Sequence, residues 1–317
     1  MIGDQITAWS RSLGRAPYDA VIAALGYEKR SAFIPTLLAP DTRERFACGF
    51  GVQHVLSYAE NLRDLTEAGY DITEVQDREF RAWVVSILDQ LASVSSVHAS
   101  VAVDISSVSR LRLAILVDCI RTFVRIRRLK VDFLYAPAKY SPPAEDDSPN
   151  QHVGPVLPSY AGWTDEPEAP VTAVVGLGYE EDRALGAVER IDPDETWCFL
   201  PTSGEAEYTP ALLRANEELI ASVPEGRLLE YVVESPFDCF TRLESLAFRK
   251  SHSSRVVLIP FGPKSFTLCA LLVAGVHPEI AVWRVSAGAR QVPVQREPTG
   301  LVVGISAEAV TEPQTYE

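Results

Sequence analysis

The sequence lacks the patterns that mark several common protein classes. No apolar run reaches about 18 residues, and no basic N-terminal region precedes a long apolar stretch, so neither a membrane span nor a signal peptide is expected. The five cysteines form no Cys-x-x-Cys pair, and the five histidines lack metal-ligand spacing. We therefore expect a soluble, cytoplasmic globular protein with buried free thiols, no metal centre and no certain cofactor.

Basic residues are also scarce. The chain has 29 Lys and Arg against 43 Asp and Glu, a formal net charge of -14, which argues against general nucleic-acid binding because phosphate attraction needs a basic surface. One stretch is an exception, since residues 110–130 carry seven cations and only Asp118 as an acid. We expect a solvated basic helix end there, close to an acidic neighbour.

The standard nucleotide and hydrolase signatures are absent. No Gly-x-x-x-x-Gly-Lys-Ser/Thr loop occurs, and Gly176-Leu-Gly178 continues with Tyr179 instead of completing Gly-x-Gly-x-x-Gly. No Gly-x-Ser-x-Gly elbow is present either. ATPase, dinucleotide-binding and serine-hydrolase functions are therefore not favoured.

What the sequence does contain is a repeated phrase. Gly-Tyr-Glu occurs at residues 26–28 and again at 178–180, each time directly after an apolar run typical of a buried strand. Further landmarks follow each copy in the same order: Arg30, Cys48, Asn61 and Arg110 after Glu28, and Arg183, Cys198, Asn216 and Lys264 after Glu180. The matched spacing predicts an internal duplication.

Apolar strand patterns alternate with helical patterns in both copies. This alternation predicts an α/β protein made of two tandem Rossmann-like units, each a mostly parallel five-stranded sheet with helices on both faces. The predicted boundaries are 1–136 for the first unit, 137–170 for a Pro-rich acidic linker, and 171–317 for the second unit with its C-terminal tail. Tyr160 and Trp163 suggest that part of the linker packs onto a domain, and Leu301 to Ile305 is expected to be an edge strand.

Polar motifs follow the first and fourth predicted strands of each unit. The carboxyl ends of parallel strands share one edge of a sheet, where ligands bind. Free amides, hydroxyls and a cation at a helix N-terminus suit a phosphate or another anion. The predicted ligand-binding residues are Tyr27, Glu28, Arg30, Asp104, Ser106, Ser107 and Arg110 in the first unit, and Tyr179, Glu180, Arg183, Gly262, Lys264 and Ser265 in the second.

Simpler structural roles remain open for these residues. Ser or Gly caps many helices, and a carboxylate near a helix N-terminus stabilises it by about 0.3 to 1 kcal/mol. Glu28 and Glu180 are therefore either helix caps, contacts to a ribose, base or metal, or catalytic candidates. The two tyrosines are either ligand contacts or packing residues.

The layout resembles the CRISPR-associated Rossmann-fold (CARF) sensors of cyclic oligoadenylates. The residues that carry the resemblance are Phe261-Gly262-Pro263-Lys264-Ser265 and Ser106-Ser107-Val108-Ser109-Arg110, which stand where that family often has Thr-Gly-Gly-Thr-Lys. The similarity is one of layout over residues 20–284, and neither motif matches letter for letter. The family usually builds its cleft from two identical subunits, so the resemblance implies an internal pseudo-dimer with one shared pocket. It also implies a role in phage defence and a separate effector protein, since no residues remain for an effector domain.

Three functions are compatible with this pattern. The first is a sensor or regulatory module that binds a nucleotide or another phosphate-bearing small molecule, held by Lys264 and Arg110. The second is a nucleotide hydrolase or transferase that uses Glu28 or Glu180 as general base or nucleophile. The third is a non-catalytic scaffold subunit of a defence complex. The matched motifs favour binding over catalysis.

Overall fold

Two α/β units make up the chain. The structure is a computed structural model that describes residues 2–10, 17–52, 54–123, 125–143, 150, 152–181, 183–286 and 292–310. The first unit contains Met1–Lys139 and Gln295–Glu317, and the second contains Tyr140–Val294. The second unit is therefore an insertion within the first.

The first unit contains a seven-stranded sheet in the order β1-β13-β6-β5-β2-β3-β4. The strands are β1 (Ile2–Ala8), β2 (Tyr18–Ala24), β3 (Thr42–Gly49), β4 (Asp71–Glu74), β5 (His98–Asp104), β6 (Arg128–Tyr135) and β13 (Val303–Val310). The helices are α1 (Phe33–Leu38), α2 (Tyr58–Glu67), α3 (Asp77–Val94) and α4 (Arg110–Thr122), with short 3-10 turns at Lys29–Ser31 and Ala39–Asp41. Strands β4, β3, β2, β5 and β6 are parallel to one another. Strand β13 is antiparallel to β6, and β1 is antiparallel to β13.

The second unit contains a six-stranded sheet in the order β10-β9-β8-β11-β12-β7. The strands are β7 (His152–Pro155), β8 (Val171–Gly176), β9 (Glu195–Thr202), β10 (Leu228–Val232), β11 (Arg255–Pro260) and β12 (Ala281–Ser286). The helices are α5 (Arg183–Ile191), α6 (Tyr208–Ala215), α7 (Glu217–Ser222), α8 (Pro236–Ser251) and α9 (Lys264–Val276), with 3-10 turns at Pro158–Tyr160 and Glu225–Arg227. Only β7 is antiparallel among these strands.

The two sheets share one core arrangement. The five parallel strands are β2 to β6 in the first unit and β8 to β12 in the second. Numbered 1 to 5 in chain order, they lie in the order 3-2-1-4-5 in both sheets. An antiparallel strand, β13 or β7, lies beside strand 5 in each. The predicted α/β class with two mostly parallel sheets is confirmed. The common strand order also supports the predicted duplication.

The unit boundaries differ from the predicted ones at both ends of the second unit. The predicted tail strand is β13, which lies between β1 and β6 of the first sheet and is not an edge strand. Part of the predicted linker belongs to the second unit, because β7 pairs with β12 and Tyr160 is buried. Trp163, by contrast, is 76% exposed.

The central strands are apolar because both of their faces are covered. Val101 and Val103 in β5, and Val174 and Val175 in β8, are almost completely buried. Such runs of branched residues are typical of parallel sheets with helices on both sides. In the part of the chain that the structure describes, no helix combines the length and apolar character that crossing a bilayer requires.

The basic stretch at residues 110–130 is paired with acids. Arg121 and Arg81 both contact Asp118, and other pairs join Arg125 to Asp89 and Arg128 to Glu308. The positive charges of this helix end are therefore largely offset by acidic neighbours.

Candidate functional site

Each sheet has one point where the strand order reverses direction. In the first unit it lies between β2 and β5, and in the second between β8 and β11. Ligands of open α/β sheets bind at the carboxyl ends of the strands at such a point. We call the loops 25–30 and 105–109 the first crevice, and the loops 177–180 and 261–264 the second crevice.

Glycine lets the two loops of each crevice approach each other closely. A Cβ atom added at Gly26 would lie 3.3 Å from the Cβ of Ser107. In the second crevice a Cβ at Gly262 would overlap the carbonyl oxygen of Leu177, and one at Gly178 would lie 3.2 Å from the carbonyl group of Phe261. The structure thus brings together the predicted motifs after the first and fourth parallel strands within each unit.

A buried asparagine holds the Gly-Tyr-Glu loop in both units. Asn61 Nδ2 donates to the carbonyl oxygens of Gly26 and Glu28, each at 2.8 Å. Asn216 Nδ2 donates to the carbonyl oxygens of Gly178 at 2.7 Å and Leu212 at 2.8 Å. The two asparagines that marked the repeat in the sequence therefore both bond to the Gly-Tyr-Glu loop of their own unit, a role that their spacing in the sequence did not indicate.

Replacing either asparagine should destabilise its unit. Asn61→Ala takes the side-chain donor from the Gly26 and Glu28 carbonyl oxygens, of which Glu28 keeps the Ser31 amide, and Asn216→Ala takes it from those of Gly178 and Leu212. We expect a loss of about 1 to 3 kcal/mol in the free energy of unfolding, measured in urea. Asn61→Asp keeps the size but cannot donate when ionised, so its cost should be at least as large. A loss below about 0.5 kcal/mol for both alanine variants would contradict this role.

In the first crevice Glu28 is held in an ion-pair cluster. Its Oε2 accepts from Arg30 Nε at 2.6 Å, and its Oε1 lies 3.8 Å from Arg296 Nε. Arg30 is 3% exposed and also donates to Tyr135 Oη at 3.3 Å and to the carbonyl oxygen of Ala136 at 3.0 Å. Burial by itself would lower the pKa of Arg30, but the Glu28 carboxylate and the Tyr135 hydroxyl raise it above its usual value, so the guanidinium stays charged.

The chain itself covers part of the first crevice. We call residues 295–299, which follow the inserted unit, the return segment. Gln295 Oε1 accepts the Lys29 amide at 2.9 Å, and the Arg296 carbonyl oxygen accepts the Arg30 amide at 3.1 Å. The polar groups that follow Gly-Tyr-Glu in the first unit therefore bond to the return segment.

The other candidates of the first unit also make internal contacts. Asp104 is buried and accepts from the Ser106 amide at 2.9 Å, while Ser106 Oγ accepts from the Ala136 amide at 2.9 Å. Tyr27 is half-buried against the core, and burial followed by the charge of Glu28 raises its pKa, which keeps the phenol neutral.

At the start of α4 the helix is capped from within. Ser109 is the N-cap and accepts from the Arg112 amide at 3.2 Å, while Arg110 is the first helical residue and half-buried. The Oγ of Ser107 has no hydrogen-bond partner in the described part of the chain. The first crevice thus offers one buried hydroxyl beside a helix end that is already capped.

The second crevice differs at the corresponding helix. Pro263 is the N-cap of the thirteen-residue helix α9 and provides no side-chain cap, and half-buried Lys264 follows it. Ser265 and Thr267 are each 2% exposed, and their hydroxyls have no partner among the residues that the structure describes. This helix N-terminus combines an uncapped first turn, a cation and two uncommitted hydroxyls.

Three tyrosines lie beside the same crevice. The ring of Tyr179 is 5.4 Å from that of Tyr208, which is 5.2 Å from that of Tyr140 in an edge-to-face arrangement. We call these three residues the tyrosine cluster, and all three are half-buried. Tyr179 directly follows Gly178, where an added Cβ would lie 3.2 Å from the carbonyl group of Phe261. One member of the cluster therefore belongs to a loop of the second crevice, and it also packs partly against the core of this unit.

The remaining candidates of the second unit lie at its margin. The Glu180 side chain folds back toward Gly178, since its Oε2 would lie 2.6 Å from a Cβ there. Arg183 begins α5, and its carbonyl oxygen accepts from Asn150 Nδ2 at 3.3 Å. Tyr140 and Tyr208 were missed by sequence reasoning, because one lies in a Pro-rich segment and the other at a helix start without any repeated motif.

The cysteines offer no reactive thiolate in the described structure. All five are buried and unpaired, and burial raises the pKa of Cys48 and Cys119 to about 11 and that of Cys198 to about 12. At neutral pH these three thiols are protonated and poor nucleophiles.

The sequence matches no protein-family model and no curated protein. Function is therefore argued from the geometry of the two crevices.

Proposed function

We propose that the second crevice binds a phosphate-bearing ligand, most simply a nucleotide, and that the chain is a nucleotide sensor or regulatory module. The observation that carries the proposal is the uncapped N-terminus of α9 beside the tyrosine cluster. A nucleotide has one anionic end and one flat aromatic end, and the crevice offers a complement to each.

The helix end suits the phosphate. A helix N-terminus presents amide donors and the positive end of the helix dipole, which together form a site for anions. Lys264 adds a full positive charge at the first helical position, and Ser265 and Thr267 add hydroxyl donors. In the first unit the matched turn is already capped by Ser109, so it is the poorer anion site.

The tyrosine cluster suits the base. Stacking of a base on an aromatic side chain contributes about 1 to 3 kcal/mol and tolerates any base. Tyr179 and Tyr208 are both half-buried, so neither side chain is completely covered. Because stacking does not select among bases, the proposal names a nucleotide and no particular one.

The resemblance to CARF sensors extends the proposal. It makes cyclic oligonucleotides the first probes, and it suggests phage defence as the setting and a separate effector protein as the partner.

Lys264→Ala should weaken binding about 10- to 100-fold, since a hydrogen bond to a charged group contributes about 1.5 to 3 kcal/mol. The measurement is titration calorimetry with mono-, di- and cyclic nucleotides, first on the unmodified chain and then on the variant. Lys139→Ala removes the same charge from an exposed position in the first unit and should leave affinity unchanged.

Two outcomes would contradict the proposal. One is the absence of binding by every nucleotide in the panel, which would favour the scaffold hypothesis. The other is full affinity in Lys264→Ala. Arg110→Ala, at the matched position of the first unit, tests the predicted contribution of that unit.

The enzyme hypothesis has Glu180 as its better candidate. Both glutamates are half-buried, but Glu28 pairs with Arg30 and Arg296, whereas Glu180 has no ion-pair partner among the residues that the structure describes. Glu180→Gln should abolish turnover and keep nucleotide affinity if this carboxylate is a general base. Turnover that persists in the variant would exclude that role.

A further inference from the structure

We propose that the first crevice is a peptide-recognition site, and that its occupant is the chain's own return segment. The inference is independent of the nucleotide proposal, because it concerns the other unit and needs no small ligand. It assigns to the first crevice a different ligand class, an extended peptide that carries Gln followed by Arg.

The glutamine is recognised at both ends of its amide group. Gln295 Oε1 accepts the Lys29 amide at 2.9 Å, and Gln295 Nε2 donates to Ser57 Oγ at 2.8 Å. These partners come from the turn after β2 and from the N-cap of α2. Since donor and acceptor are both matched, a side chain without an amide or a similar group loses at least one bond.

Arg296 is bound through its backbone carbonyl group and through the charge of its side chain. Its carbonyl oxygen accepts the Arg30 amide at 3.1 Å, and its guanidinium lies 3.8 Å from the Glu28 carboxylate. Glu28 is 13% exposed and Arg296 is 19% exposed, so this pair is shielded from water. The carboxylate of Glu28, which belongs to the repeated Gly-Tyr-Glu phrase, thus forms an ion pair with an arginine of the return segment.

The rest of the return segment is held by backbone pairing. The amide of Lys139 donates to the Glu297 carbonyl oxygen at 2.9 Å, and the amide of Thr299 donates to the Pro137 carbonyl oxygen at 2.9 Å. The ion pairs of the Glu297 side chain with Lys29 at 3.9 Å and Lys139 at 3.5 Å are about half exposed, so water screens them more than the Arg296–Glu28 pair. Sequence selectivity therefore lies in Gln295 and Arg296.

Binding of the return segment to the first crevice of its own chain has a functional consequence. The Lys29 and Arg30 amides and the Glu28 carboxylate already contact the return segment, so they are not open to another ligand while the segment is in place.

The test supplies the segment in trans. The probe is a fluorescein-labelled peptide with the sequence of residues 292–300, and the protein is the full chain with Gln295→Ala and Arg296→Ala together. Fluorescence anisotropy should show binding at least tenfold tighter to this variant than to the unmodified chain, whose crevice is filled. A peptide with the same two alanines should bind at least tenfold more weakly, whereas a Glu297→Ala peptide should bind like the native one.

Equal binding of the native and doubly substituted peptides would overturn the inference. So would no binding of the native peptide to a double variant that circular dichroism shows to be folded. If the double variant does not fold, hydrogen exchange of the single variant Gln295→Ala decides. The Lys29 amide should then exchange at least tenfold faster than in the unmodified chain. The exchange rate of the Ser31 amide, which donates to the backbone carbonyl oxygen of Glu28, should stay unchanged. No change at Lys29 would overturn the inference as well.

Discussion

Arg112→Ala should lower the free energy of unfolding by about 2 to 4 kcal/mol, because three hydrogen bonds from a buried guanidinium are lost at about 0.5 to 1.5 kcal/mol each. The Arg112 side chain is 1% exposed, and its Nε donates at 2.7 Å to Oδ1 of Asp77, a carboxylate that is itself 56% exposed. Its two terminal nitrogens donate to the carbonyl oxygens of Gly49, at 3.0 Å, and Val75. Removing the side chain takes the donor from the Val75 carbonyl oxygen, leaves the Gly49 oxygen with the Val75 amide at 3.2 Å, and opens a cavity at the carboxyl ends of β3 and β4.

Aromatic contacts add to this cost. The guanidinium carbon lies 4.1 Å from the ring centroid of Phe50 and 5.1 Å from that of Phe80. Arg112→Lys should also be costly, because one ammonium group cannot reproduce the planar fork that reaches three acceptors. Urea unfolding measures both variants.

Arg125→Ala is the matched control for Arg112. Its ion pair with Asp89 has the same length, 2.7 Å, but both side chains are exposed, at 62% and 41%. We expect a loss below about 1 kcal/mol. A similar loss of unfolding free energy for Arg112→Ala and Arg125→Ala would show that the hydrogen bonds of buried Arg112 contribute little to stability.

Gly262→Ala should cost about 1 to 3 kcal/mol and weaken ligand binding at the second crevice. Its Cβ would overlap the carbonyl oxygen of Leu177, a backbone atom that moves only with β8. The two loops that form the crevice would therefore separate, and the start of α9 would shift with them. Urea unfolding and nucleotide titration of the same variant measure the two effects.

Gly226→Ala provides the comparison within the same unit. No atom lies within 4 Å of an added Cβ there, and the residue belongs to the short 3-10 turn at Glu225–Arg227. Alanine should leave stability unchanged or raise it by up to about 1 kcal/mol, since it reduces the freedom of the unfolded chain. A Gly262→Ala variant as stable as Gly226→Ala would show that the loops adapt without cost.

The sequence predicted the sheets because local signals agree with the fold there. Short apolar runs rich in branched residues, such as those of β5 and β11, are typical of buried strands, and their alternation with helical patterns predicts parallel pairing. The start of α9 at Lys264 was predicted correctly because Gly262 and Pro263 end the strand and favour a helix start. The close approach of the polar loops within each unit followed from the same topology.

Other features depend on partners far away in the chain. Arg112 lies in a basic stretch that suggested a solvated helix, yet its partners are on β3, β4 and α3, which no local pattern indicates. The short strand β1 and the return segment have weak patterns of their own. Their positions are set by residues more than 200 positions away, such as β13 for β1 and Lys29 for Gln295.

The insertion of the second unit imposes an order on folding during synthesis. Strand β13 pairs with β6 across 174 residues, for instance where Ser306 bonds to Asp132. All residues of the second unit leave the ribosome before β13 does, so the second sheet can be complete while one side of β6 still lacks its neighbour. Pairings of such long range form slowly. The nascent first unit therefore exposes an open strand edge until β13 is made, and this is the stage at which misassembly or chaperone binding is expected.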